Sequence, residues 1–165
     1  MTSVIRTELF DAVVLAPFGG IGVRTDADTI VEMVYLPAKV DAMPARTAPA
    51  REAVLQVARY LKDPAFRFDL PLAGKGTVFQ RRVWSEIAAI PSGHIRSYGE
   101  VARKLRSAPR AVGQACGANW FSLAIPCHRV LAAGGLGGFG RHDAEGFYLG
   151  VKRWLLRHEG VAGYA

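Results

Sequence analysis

The segment Leu123-Ala124-Ile125-Pro126-Cys127-His128-Arg129-Val130 sets a thiol beside an imidazole, in an apolar stretch and directly after a proline. Proline fixes φ and keeps the residue before it extended, which holds Cys127 on a rigid turn. A thiolate is the strongest nucleophile among the ordinary side chains, and a neighbouring histidine can take its proton. The competing reading is a small buried hydrophobe, the usual fate of a free cysteine. The second thiol, Cys116, reads as such a packing residue. Downstream, Gly135-Leu136-Gly137-Gly138-Phe139-Gly140 fits G-x-G-x-x-G, with Glu159 near the acidic spacing of a dinucleotide fingerprint. Only 25 residues follow Gly140, too few to complete the βαβ unit that such a fingerprint needs. The glycines read instead as a loop whose backbone can approach a ligand closely.

These groups need elements to hold them. Before the thiol, Thr77-x-x-Gln80 is a capping box opening a helix with Phe79, Val83 and Ile87 on its inner face and Trp84 beside them. Ser97-x-x-Glu100 opens a second helix through Leu105. A third starts at Ser107-Ala108-Pro109, with Ser107 as cap, and closes at Gly117. The last two, joined by about two residues, match a helix-turn-helix. After the thiol, Phe147, Val151, Trp154, Leu155 and His158 form one face of a final helix with Gly160 as C-cap. The first half reads as short strands at Val13 to Ala16, Gly20 to Thr25 and Ile30 to Leu36. A loop follows from Pro37 to Ala48, then a helix around Val54 to Leu61 stopped by Asp63-Pro64, with one more strand from Phe66 to Leu72. Leu72 to Gly76 reads as a linker, which divides the chain into domains 1–74 and 75–165.

The chain has 165 residues, half of them hydrophobic and a fifth charged, enough to bury a core. Its apolar runs are shorter than a membrane span, and Met1 to Phe10 lacks the apolar region of a signal peptide. Two cysteines make no disulfide framework. Secreted, membrane and fibrous classes are thereby excluded, and a cytoplasmic protein is expected. The net charge of +7 is one-sided. Residues 1–74 carry 8 Lys and Arg against 9 Asp and Glu, whereas residues 75–165 carry 13 against 5. Such concentration is the footprint of a polyanionic partner, although a solvated basic face gives the same count.

The order of parts narrows this. Ser97-Tyr98, Arg110-Ala111-Val112-Gly113, Asn119, Ile125 to Val130, and Lys152-x-Trp154-Leu155-Leu156-x-His158-Glu159-Gly160 resemble the O6-alkylguanine-DNA alkyltransferases, over about residues 77–160. The resemblance implies an α/β protein: an N-terminal mixed sheet of ribonuclease-H-like type, and a C-terminal helical DNA-binding domain carrying the cysteine. Cys127 then matches the nucleophile that takes the alkyl group from guanine O6 and keeps it. His128 matches the base acting through a water, and Glu159 the carboxylate that orients it. Asn119 matches a hinge asparagine. Tyr98 matches the tyrosine that rotates the nucleotide out of the stack, and Arg110 the arginine that fills the gap; packing beside Trp84 and a plain phosphate contact are their alternatives. Base flipping is needed because O6 of a stacked guanine is out of a buried thiol's reach. Ala111 and Gly113 match small residues that allow a close minor-groove approach. Gly138, Phe139 and Gly140 match the wall of the base pocket, where many members have tyrosine at the position of Phe139.

The resulting expectation is a monomer that repairs O6-alkylguanine, and O4-alkylthymine, in double-stranded DNA by single-turnover transfer to Cys127. No cofactor is expected. No metal is expected either: residues 1–75 contain neither Cys nor His, so the N-terminal zinc of some members has no ligands here. Without an added methyl-phosphotriester domain, a stand-alone repair protein is expected. The rival reading is a lesion-binding protein without transfer, against which Cys127 argues. A sequence-specific regulator is disfavoured by the small residues at the start of the third helix.

Overall fold

The computed structural model describes residues 6–37, 39–139 and 146–164. It divides into two compact units, Met1–Ala73 and Gly74–Ala165. In the first, strands β1 (Ala12–Ala16), β2 (Gly19–Asp26) and β3 (Thr29–Leu36) form an antiparallel sheet in that order. Alternation places Ile21 and Val23 of β2 in the core, and a register shift opposite Arg24 and Thr25, with Val31 as the extra residue, lets both Ile30 and Met33 of β3 reach it. Phe10 lies over Gly22, where a β-carbon would come within 2.6 Å of its ring, so only glycine admits that packing. Helix α1 (Ala48–Lys62) covers the sheet with Ala50, Ala53, Val57 and Tyr60. It begins earlier than the apolar periodicity alone suggests, because Thr47 accepts from Ala50 N–H and caps it.

Phe66 to Leu72 is not the expected strand; only Leu72 makes a bridge, parallel, to Ile30. The Gln56 side chain explains this. Its amide donates to Asp69 O and accepts from Asp69 N–H, both at 2.8 Å, supplying the backbone pairing that a neighbouring strand would have given.

The second unit is mainly helical. Helix α2 (Val78–Ala88) and helix α3 (Tyr98–Lys104) both start with complete capping boxes, at Thr77/Gln80 and Ser97/Glu100. Helix α4 (Pro109–Gly117) follows after residues 105–108. Its N-cap is Ala108, not Ser107, and no side chain caps it; Ser107 N–H instead donates to Ala102 O, closing the end of α3. Pro109 removes one N–H that would need a cap. Val83, Trp84 and Ile87 of α2, Val101 and Ala102 of α3, and Val112 and Ala115 of α4 form a shared core, pinned where Trp84 Nε1–H donates to Ala115 O at 2.8 Å.

A two-stranded parallel pair joins this bundle to the cysteine segment: β4 (Arg96–Ser97) pairs with β5 (Val130–Leu131). Helix α5 (Phe147–His158) then packs behind that segment. Its buried face is Leu149, Val151, Lys152, Leu155 and Leu156. The expected face is therefore rotated: Trp154 and His158 are half-buried and stack on each other at 4.8 Å. A buried lysine, which periodicity scores as polar, accounts for the offset. Among the described residues, no helix is long and apolar enough to cross a membrane.

Candidate active site

Pro126 (φ −83°, ψ 65°) is the centre of an inverse γ-turn in which Cys127 N–H donates to Ile125 O at 2.9 Å. The chain then makes one 3-10 turn, Cys127–Arg129, before entering β5. The proline thus fixes the entry and the strand pair fixes the exit. Cys127 is 6% exposed and lines a cavity of about 780 Å³, together with Tyr98, Arg110, Gly113, Cys116 and Phe139. Asn119, just past α4, ties that helix to the cysteine segment. Its Nδ2 donates to Ile125 O at 3.0 Å and to Cys127 Sγ at 3.4 Å, while its Oδ1 accepts from Phe121 N–H.

Behind Cys127 the chemistry is fully buried. His128 Nε2 lies 2.8 Å from Glu159 Oε2, and both side chains are inaccessible. Burial holds the imidazole below its ordinary pKa of 6.5, against the pull of Glu159, so it is neutral at neutral pH. The carboxylate can only accept, which places the proton on Nε2 and leaves a lone pair on Nδ1. That Nδ1 is buried and has no protein partner. A base is therefore aimed inward with its lone pair unused.

Glu159 is held by a second group that the sequence reading passed over. Arg129 donates from Nε to Oε1 at 2.8 Å and from Nη2 to Oε2 at 2.9 Å, and its Nη1 donates to Ile90 O. Burial opposes ionisation of Glu159, but His128 and Arg129 outweigh it and hold the carboxyl well below the usual carboxylate range. The fork geometry of guanidinium is what makes this bidentate grip possible.

Lys152 is the second such residue. It is fully buried, and its Nζ donates to Val130 O and Gly138 O, both at 2.9 Å. It thereby pins the glycine loop to β5, and it lies 5.8 Å from the Tyr98 ring centre and 5.7 Å from that of Phe139. Burial lowers its pKa to about 8, with the nearby sulfurs of Cys116 and Cys127 pulling the other way. Gly137 (φ +73°) makes the turn, and a β-carbon there would lie 3.1 Å from both the Tyr98 ring and Ala132 N. Tyr98 Oη reaches Gly138 O at 3.4 Å. Cys127 itself is pushed well above the ordinary thiol range, first by the adjacent Cys116 and then by burial; Asn119 and Lys152 partly offset this. At neutral pH it is a thiol that needs a base.

The structure thus brings Cys127, His128, Glu159 and Asn119 together, and Tyr98, Arg110, Ala111, Gly113, Gly138 and Phe139 line the same cavity as Cys127. Gly140 lies outside the described residues.

The sequence model of the 6-O-methylguanine DNA methyltransferase DNA-binding domain matches residues 78–161. A methylated-DNA–protein-cysteine methyltransferase of Archaeoglobus fulgidus is 36% identical over 118 residues, which cover 72% of this chain and 80% of that one. The chain belongs to the 6-O-methylguanine DNA methyltransferase family. A Shigella flexneri methylated-DNA–protein-cysteine methyltransferase is 45% identical over 95 residues, 55% of this chain. The chain spans about half the length of that relative, 52%. Among solved methyltransferases of the family, Mycobacterium tuberculosis OGT in complex with DNA superposes with a TM-score of 0.74 at 33% identity, covering 90% of this chain and 91% of its own. The mixed α/β architecture, with a small sheet and, among the described residues, five α-helices, is thus that of a solved methyltransferase fold.

Proposed function

We propose that this chain repairs alkylated DNA by moving the alkyl group from O6 of guanine to Cys127. One observation carries the reading: a cavity-lining thiol stands directly before a buried neutral histidine whose free lone pair is on Nδ1 and whose other nitrogen is locked on Glu159. The thiol proton passes to Nδ1, through a water held between the two. The imidazolium so formed is stabilised by Glu159, which Arg129 keeps ionised. The thiolate then displaces guanine from the alkyl carbon. The C–S bond forms, the C–O6 bond breaks with its electron pair going to the base, and the base takes up a proton. The thioether has no route back, so each molecule acts once. The displacement draws on side chains alone.

DNA binding falls to α3 and α4, which we read as a helix-turn-helix used in the minor groove. Arg81, Arg82, Arg103, Arg106 and Arg110 of this unit are exposed, and the space above Gly113 is open. Small residues there let a helix lie close to the groove floor. Arg110 fills the stack after flipping, and Tyr98 guides the nucleotide. The ribonuclease-H-like description of the first unit rests on the family resemblance. O4-alkylthymine fits the same displacement chemistry, and a single chain suffices for it.

Mass spectrometry after incubation with an O6-methylguanine duplex tests the reading. One methyl on the Cys127 peptide is expected, and none in Cys127→Ser, whose hydroxyl is a far weaker nucleophile of similar shape. Tight binding without methylation would identify a lesion-binding protein instead.

A further inference from the structure

The cavity holds a second thiol that the transfer step does not use. Cys116 is on the last turn of α4, half-buried, and lines the same cavity as Cys127. One residue bridges the two: Asn119 N–H donates to Cys116 O at 3.2 Å, and Asn119 Nδ2 donates to Cys127 Sγ at 3.4 Å. Asn119 holds the segment between them by bonding Ile125 O and Cys127 Sγ, so the two thiols are tied to one rigid frame. Among the described residues, these are the two cysteines of the chain, and both line one cavity.

We propose that Cys116 is a resolving thiol: when a hydroperoxide oxidises Cys127, Cys116 captures it as a reversible Cys116–Cys127 disulfide. The inference rests on Cys127 being the cavity-lining nucleophile of the proposed function. In the first step the Cys127 thiolate attacks hydrogen peroxide; the O–O bond breaks, sulfur loses two electrons and becomes a sulfenic acid, and hydroxide leaves. In the second, the Cys116 thiolate attacks that sulfur; the S–S bond forms and the S–O bond breaks. Hydroxide leaves again, and with the two thiol protons the oxidant ends as two waters. A disulfide needs the β-carbons roughly 4 Å apart, so a linked pair reports directly on how closely the end of α4 approaches the Cys127 turn. Without a nearby thiol the sulfenic acid reacts with a second hydrogen peroxide, taking its oxygen and releasing water, to give sulfinic acid, which thiols do not reduce. A protein that uses its nucleophile once loses a whole repair event for each such oxidation. The first step draws on the base already described, His128, to take the Cys127 proton, and the buried Lys152 ammonium partly offsets the burial that opposes the thiolate there.

The test is peptide mapping of the full chain after a few-fold molar excess of hydrogen peroxide without DNA, followed by dithiothreitol. The wild type should lose two hydrogens in intact mass, yield a linked Cys116–Cys127 peptide pair, and recover both free thiols on reduction. Cys116→Ala and Cys116→Ser, each checked for folding by circular dichroism, should instead carry two added oxygens on Cys127 that dithiothreitol does not remove. A wild type that gives sulfinic Cys127 beside free Cys116, or only intermolecular disulfides, overturns the inference. Methyl acceptance from duplex is measured separately on the reduced protein. If the disulfide forms but no methyl is accepted, the proposed function fails and the resolving thiol stands.

Discussion

At the residue scale, two groups around Cys127 make acid stability a readout of the buried chain. His128 and Glu159 both have folded-state pKa values below their ordinary ones, 6.5 and 4.5. The unfolded chain therefore binds more protons on acidification, and stability falls as pH falls. His128 contributes the loss that starts below its ordinary value, and Glu159 the steeper loss that starts below 4.5. Denaturant unfolding between neutral pH and acid should show both windows, and Glu159→Gln should flatten the lower one. Arg129→Met leaves a buried carboxylate half paired and should cost about 3 kcal/mol. It should also shift the acid limb of the transfer rate to higher pH, because the Arg129 charge lowers the His128 pKa. An unmoved limb would remove Arg129 from the relay and leave it a structural role only. Phe139 poses a different question. It keeps an aromatic wall beside Lys152 but has no hydroxyl to donate to the base as negative charge develops there. Phe139→Tyr should raise the single-turnover rate constant at equal DNA affinity, by up to the roughly 100-fold that one oxyanion donor supplies. No gain would mean that backbone N–H groups of the loop already serve.

At the scale of elements, α4 carries the sharpest contrast between stability and function. Nothing lies within 4 Å of a β-carbon built at Gly113, so the fold itself does not require glycine there. Glycine inside a helix is unfavourable by about 1 kcal/mol relative to alanine. Gly113→Ala should therefore raise the unfolding free energy by up to that amount. Gly113→Leu should keep the fold yet weaken binding to undamaged duplex in a fluorescence-anisotropy titration. If Gly113→Leu binds as tightly as wild type, α4 is not the element that approaches the groove. The glycine loop behaves in the opposite way, since Gly137 and the two carbonyl contacts of Lys152 fix its path.

For the molecule as a whole, the basic excess is concentrated in residues 75–165, and DNA affinity should carry that signature. Binding to duplex should weaken linearly in log–log terms with salt, with a slope set by the number of phosphates neutralised. Arg110→Ala separates the roles of this arginine. A stacking role predicts a strong loss of repair on duplex with little change on free O6-benzylguanine, whereas a phosphate contact predicts mainly a shallower salt slope. Equal losses on both substrates would point to damage to the fold.

What the sequence determined by itself was local. The capping boxes at Thr77 and Ser97, the hairpin strands and the Pro126-Cys127-His128 turn each depend on neighbours within a few residues, and each stands where the pattern places it. The resemblance of residues 77–160 to a known family supplied the partners for Cys127 on the same ground, as motif order along the chain. Tertiary structure decided the rest, because those choices depend on groups far apart in sequence. Gln56 satisfies Asp69 and cancels a strand; Arg129 closes on Glu159 thirty residues away; Lys152 turns inward to two carbonyls and rotates the face of α5. Cys116 read alone is a small apolar residue, and only the fold sets it beside Cys127 in one cavity. A buried polar side chain is placed by its partner, and a one-dimensional pattern names the residue without naming what it will meet.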